Sequence, residues 1–266
     1  MTPPSLPRTA PPRRDAVLRM FCVPHAGGSA RVFRDWQKHA PPGVEVVPLE
    51  PAGRGTRAGE SAPRSVGEIA RDFAATVRAR AGRNPYVLLG HSMGSLVAYE
   101  MAVAAGPKDL PGPALLVVSG RNPPHSPPTW AHRVLALTDG ELLAELAALG
   151  SVPPGLSPSI AAHFFLPAFR ADLRMAHAYV PGRELRRTAA PLLVLAGRQD
   201  PLTDDAVLPQ WERYSRESCV VAHHDGGHFA LYERVPWLME LIGAQLRRTE
   251  QVPPGRSFVG KEGHGC

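Results

Sequence analysis

The pentapeptide Gly90-His91-Ser92-Met93-Gly94 stands directly after an apolar run, Tyr86–Leu89, and directly before a helical stretch, Ser95–Ala105. A serine between two glycines at that junction demands a tight, strained turn. The turn leaves the hydroxyl exposed at a strand's carboxyl end, above the N-terminus of a helix. Such a turn is built where a strand feeds a helix that packs back on its sheet, so the chain is expected to alternate strand and helix.

The rest of the sequence follows that rhythm. Leu18–Val23 reads as a buried strand stopped by Pro24. The glycine-rich turn His25-Ala26-Gly27-Gly28-Ser29 follows, with a helix expected from about Ala30 to His39. Val44–Leu49 predicts a second strand. Ser65-Val66-Gly67-Glu68 opens a helix with a capping box, and its apolar residues from Val66 to Val77 keep helical spacing. Ala114–Ser119, Leu192–Leu195 and Ser218–His223 predict further strands, and Pro236–Arg248 a closing helix. Continuous apolar strands between helices imply an α/β fold, a mostly parallel sheet covered on both faces.

Residues 17–248 form the expected folded domain, between a flexible leader (1–16) and a flexible tail (249–266). Within it, about 121–188, the strands stop. Proline-rich loops and two helical patterns take over, one capped at Thr138 and one opening at Ser157-Pro158. An insertion of that size is a lid over a site or a supporting helical layer. Its Phe164, Phe165, Phe169 and Met175 either line a substrate channel or pack on the sheet.

The chemistry starts at Ser92. A serine hydroxyl needs a base, and behind a nucleophile elbow of the α/β-hydrolase kind the acid and then the histidine follow in chain order. Asp200 falls in a turn just after the Leu192–Leu195 strand, with Asp204 and Asp205 as alternatives that read better as a helix cap. His228 follows two glycines after the last strand, and His224 is the fallback. His223, His224 and His228 lack the carboxylate or cysteine set of a metal site, so no metal is expected. The backbone N–H groups of Ala26 and Met93 are the expected oxyanion donors.

Hydrophobic residues are 44% of the 266 and charged residues 20%, which excludes a mainly disordered chain. No apolar run approaches the 18 or so residues of a membrane span. Three cysteines, Cys22, Cys219 and Cys266, offer no disulfide framework. Cys22 and Cys219 read as small buried hydrophobes, and a cytoplasmic location is expected. The net charge of +6 is carried almost wholly by arginine, and no nucleic-acid motif accompanies it. Arg31, Arg54 and Arg57, near the expected entrance, are candidates for docking an acidic partner.

The motifs Val23-Pro24-His25-Ala26-Gly27-Gly28, Gly90-His91-Ser92-Met93-Gly94 and Gly226-Gly227-His228-Phe229 together resemble those of the type II thioesterases. These are the stand-alone editing hydrolases of polyketide and nonribosomal peptide synthesis. Leu49 with Gly53-Arg54, and Arg170-Ala171-Asp172, also resemble that family. Pro51-Ala52-Gly53-Arg54 departs from it, since the family more often has proline immediately before the Gly-Arg pair. The resemblance implies the α/β-hydrolase fold and a Ser92–Asp200–His228 triad. It implies hydrolysis of acyl groups from the phosphopantetheine arm of acyl or peptidyl carrier proteins, with no cofactor. A medium-chain fatty acyl thioesterase and a small-ester carboxylesterase are the alternatives.

Overall fold

The structure, a computed structural model, describes residues 18–106, 111–151, 158–182 and 184–248. The leader, the tail with Cys266, the cap expected at Ser157 and the side chain of Phe164 lie outside the described residues. No helix among them is long and apolar enough to cross a membrane.

Six parallel strands form one sheet. They are β1 (Leu18–Val23), β2 (Val44–Pro48), β3 (Tyr86–His91), β4 (Leu115–Ser119), β5 (Leu192–Gly197) and β6 (Cys219–His224), in the order β2-β1-β3-β4-β5-β6. Alternate side chains sort to the two faces. Phe21, Val23, Tyr86 and Leu88 join one core, and Met20, Cys22, Val87 and Leu89 the other. The first core is covered by α1 (Val66–Ala81), α2 (Met93–Ala104), α3 (Thr129–Leu135) and α4 (Asp139–Ala148). The second is covered by α7 (Val235–Arg248). Between α4 and β5 the chain runs through a short turn, α5 (Pro158–Ile160), a π-helical turn (Ala161–Phe165) and α6 (Leu166–Ala178). The wide turn ends at Phe165, two residues before Pro167, which has no N–H to give the preceding turn and whose ring crowds the carbonyl four residues back.

The order places the topological reversal between β1 and β3, since β2 lies on one side of β1 and every later strand on the other. In an open parallel sheet a ligand crevice opens there, at the strands' carboxyl ends. The loop after β1 and the turn after β3 flank it.

Local chemistry explains where sequence and structure agree and where they part. Ser65 Oγ accepts from Glu68 N–H at 3.1 Å, as the cap requires, but the Glu68 carboxylate reaches back to Arg64 N–H (2.8 Å), one residue before the cap. Thr138 and Glu141 close the reciprocal box. The single helix expected over Ala30–His39 is two 3-10 turns, Ala30–Phe33 and Trp36–His39. Phe33 and Trp36 must both face the sheet. A spacing of three eclipses in a 3-10 turn, and their rings meet edge-on at 4.9 Å. Cys22 is fully buried, as expected, and burial pushes its thiol up. Cys219 is only half-buried because β6 is an edge strand, and its thiol rises to about 11.

Candidate active site

Ser92 is the only non-glycine among the described residues with positive φ, at 55°. Both glycines beside it are required by space. A Cβ on Gly90 would lie 2.1 Å from Gly94 O, and one on Gly94 would lie 2.5 Å from Val23 O. The turn is wound so tightly that backbone touches backbone. Ser95 Oγ pins it, donating to the carbonyls of Gly90 (2.9 Å) or Ser119 (3.0 Å) and accepting Ser119 N–H (3.1 Å). Ser92 N–H donates to Ser119 O at 2.8 Å, fixing the elbow to the end of β4.

His228 and Asp200 meet across the ends of β5 and β6. His228 Nδ1 lies 2.8 Å from Asp200 Oδ2, and both residues are buried. A carboxylate only accepts, so the shared proton sits on Nδ1 and the Nε2 lone pair is left free. The other Asp200 oxygen accepts Leu202 N–H at 2.9 Å. The two loops are laced by Arg198 N–H to His224 O and Gln199 N–H to Gly226 O. A Cβ on Gly197 would strike Gly226 O at 2.3 Å, so the loops meet backbone to backbone. The alternatives are occupied elsewhere. Asp204 Oδ1 accepts Ala206 N–H, Asp205 pairs with His223 Nε2 (2.8 Å), and His224 Nδ1 meets Asp225 O (3.1 Å). The three neighbouring histidines thus take three different partners.

Ser92, His228, Ala26 and Met93 line one cavity, together with Trp130, Leu146, Phe169 and Leu173 from the helices between β4 and β5. Of the aromatic and methionine candidates in that segment, Phe169 both lines the cavity and is buried. Phe165 and Met175 pack in the core without lining it.

Gly120 carries no sequence signal of its own, and the family-like Gly53-Arg54 and Arg170-Ala171-Asp172 segments give no sign of meeting each other. Gly120, φ 61°, abuts the rings: a Cβ there would lie 2.7 Å from His91 Cε1 and 3.0 Å from His228 Cε1. Asp172, on α6 and fully buried, accepts Gly27 N–H at 2.7 Å and both terminal nitrogens of Arg54 at 2.7 Å each. Arg54 also donates to Gly28 O at 3.0 Å. The turn that carries Ala26 is therefore clamped to α6 by a bidentate ion pair. This corrects the expectation that Arg54 and Arg57 serve an outside partner. Arg54 is mostly buried against Asp172, and Arg57 is held by Glu60 and Asp72. Arg31 stays exposed.

Two further imidazoles lie behind the site. His25 Nδ1 hydrogen-bonds Tyr232 Oη at 2.8 Å, and His91 Nδ1 lies 3.1 Å from Ser119 Oγ. Burial, and next the nearby His228, pull His25 down to about 3 and His91 well below the ordinary histidine range. Both are neutral in the folded chain, while the unfolded chain protonates them below about pH 6.5. The unfolded state then binds more protons, so stability falls as the pH drops from about 6.5 towards 3. The expected slope is about 1.4 kcal/mol per pH unit for each histidine. Urea unfolding at pH 7.5 and 5.0 should show a loss of about 2–4 kcal/mol, and His91→Asn should remove about half of it. Unfolding free energies that are equal at the two pH values would reject buried neutral imidazoles.

Comparison with known proteins extends this geometry. Residues 18–246 match the family model of the thioesterase domain. The chain is 30% identical over 233 residues to the gramicidin S biosynthesis protein GrsT of Aneurinibacillus migulanus, across 87% of this chain and 90% of that protein. Among solved structures, RedJ, a thioesterase from the prodiginine biosynthetic pathway in Streptomyces coelicolor, is 32% identical. It superposes with a TM-score of 0.77 over 90% of each chain. BorB, the type II thioesterase from the borrelidin biosynthetic cluster, is 29% identical, with a TM-score of 0.76 over 91% of this chain and 97% of its own. The shared architecture is the α/β-hydrolase fold.

Proposed function

The chain belongs to the thioesterase domain family, and on that premise we propose that it is a stand-alone editing thioesterase of polyketide or nonribosomal peptide synthesis. Its substrates are acyl groups on the phosphopantetheine arm of carrier proteins, which it meets in the cytoplasm.

Ser92, His228 and Asp200 are the working residues in this reading. Ser92 Oγ attacks the thioester carbonyl while His228 Nε2 takes the hydroxyl proton. Asp200 holds the imidazole and balances its charge once protonated. The N–H groups of Ala26 and Met93 receive the negative charge that develops on the carbonyl oxygen. The C–S bond then breaks, and the thiol leaves with the proton from His228. Water enters, gives a proton to His228 and attacks the acyl-serine. The carboxylic acid departs and Ser92 regains its proton. The helical segment between β4 and β5 serves as the lid, with Phe169 against the acyl chain.

One observation carries the reading: His228, held by a 2.8 Å hydrogen bond to the buried Asp200, lines the same cavity as the strained Ser92 elbow. The relatives' pathways support the carrier-bound substrate. The test is a panel of acyl-loaded carrier proteins and matched simple esters, followed by intact mass spectrometry. The expected result is release of the acyl mass from the carriers faster than hydrolysis of the esters. Ester hydrolysis with untouched carriers would make the protein a carboxylesterase. Turnover restricted to medium-chain fatty acyl carriers would make it a fatty acyl thioesterase.

A further inference from the structure

Asp200 and His228 sit on neighbouring loops, at the carboxyl ends of β5 and β6. The two strands run in register as far as Gly197 opposite His224, and the ladder continues one step, with Arg198 N–H on His224 O at 2.9 Å. The next bond of a parallel ladder would carry the Gly226 N–H to the carbonyl of Arg198. The chain leaves that pattern at Gly226, which takes a φ of 108°. Its N–H goes instead to the side-chain oxygen Oε1 of Gln199. Its carbonyl accepts the Gln199 main-chain N–H at 3.1 Å. One residue of the acid's loop therefore holds both polar main-chain groups of one residue of the base's loop.

Gln199 immediately precedes Asp200, and Gly226 stands two residues before His228. The bridge thus lies beside the 2.8 Å hydrogen bond between base and acid. The loop needs such a tie, because Gly226 and Gly227 give it more backbone freedom than any other pair of residues would. The close approach of Gly226 O to the Gly197 α-carbon stops the loop from one side, but contact alone does not draw it in. The other side-chain link, Arg198 with Asp225, is 3.6 Å long between side chains 60% and 74% exposed, and a pair of that kind is worth little. Gln199 is exposed and does not line the cavity that holds Ser92, so it reaches the chemistry only through the loop.

We propose that Gln199 is a positioning residue: its side-chain amide straps the Gly226-Gly227 loop to the acid's turn, so that His228 keeps Nδ1 on Asp200 and Nε2 free to act as the base. The inference rests on the Ser92–Asp200–His228 reading and adds to it a residue that takes no part in bond making. A reacting group displaced by about 1 Å can lose on the order of 100-fold in rate, so a strap one residue from the acid and two from the base has leverage on kcat.

The test compares Gln199→Met, which keeps the length and loses the acceptor, with Gln199→Glu, which keeps an oxygen acceptor. Arg198→Ala is the control on the same loop. One readout is kcat and KM on an acyl thioester of N-acetylcysteamine. The other is the pair of ring 15N shifts of neutral His228, which tells a proton fixed on Nδ1 from one exchanging between the two nitrogens. Because these side chains are exposed, all three variants should melt within about 4 °C of the wild type. Gln199→Met should lower kcat about tenfold, leave KM within about twofold, and draw the two 15N shifts together. Gln199→Glu should restore most of kcat and the separated shifts, and Arg198→Ala should match the wild type in both. A kcat for Gln199→Met within about twofold of the wild type overturns the proposal, and so does a lower kcat with unmoved shifts. If the wild type cleaves no thioester, the functional reading fails and the shifts alone decide. Shifts drawn together in Gln199→Met then uphold the strap, and unchanged shifts reject it.

Discussion

Ser92→Ala should fold as the wild type does and form no acyl-enzyme. Alanine at this position keeps the positive φ of 55° that serine already tolerates, so the melting temperature should hardly move. Thioester kcat should fall by a factor on the order of 10⁶, with residual turnover above water from the oxyanion donors and binding. Ser92→Gly separates chemistry from strain. Glycine populates positive φ freely, so this variant should be about 1 kcal/mol more stable than the wild type and equally dead. The serine would then be a strained residue kept for its hydroxyl. Asp200→Asn should cost less, about 10⁴ in kcat, because it disturbs only the tautomer and charge of His228. Intact mass spectrometry after mixing with an acyl thioester reads the covalent step directly. An acyl adduct on Ser92→Ala, or turnover near that of the wild type, would remove Ser92 as nucleophile.

The parts of the site that sequence makes legible are those whose requirements are local. Gly90 is demanded by atoms within the same turn, Gly94 O and Ser95 N. The chain order of serine, acid and histidine needs only the strands that precede each one. The parallel sheet is legible because each strand, buried on both faces, reads as an unbroken apolar run. Residues paired over long separations give no such signal. Asp172 meets Gly27 across 145 positions and Arg54 across 118, so the sequence offers Arg54 to an outside partner and does not show its pairing with Asp172. Gly120 is a lone glycine until the rings of His91 and His228 close on it. The fate of Phe165, Phe169 and Met175 turns on the phase of a helix that a π-helical turn shifts at Ala161–Phe165, and hydropathy spacing cannot register that shift.

The Asp172 clamp leads to the second large effect. Its carboxylate is fully buried and serves three donors at once, the Gly27 N–H and two nitrogens of Arg54. Asp172→Ala would leave the Arg54 side chain, 12% exposed, without a carboxylate and the Gly27 N–H without its acceptor. Breaking one side of a buried pair typically costs about 3–5 kcal/mol, and that loss of stability is expected here. Rate should suffer separately. The clamped turn carries Ala26, whose N–H is the proposed oxyanion donor, and such a donor is worth about 3–4 kcal/mol only when it is held in place. A loosened turn should therefore lower kcat by about tenfold or more with a smaller change in KM, measured at a temperature where the variant is fully folded. The pair Arg54→Leu with Asp172→Leu distinguishes positioning from simple stability. Replacing both charges with apolar groups of similar size should recover most of the unfolding free energy. It cannot restore the carboxylate that aligns Gly27, so kcat should remain low. Recovery of kcat in step with stability would reduce the clamp to a packing element, and kcat unchanged in Asp172→Ala would detach the turn's alignment from α6 altogether.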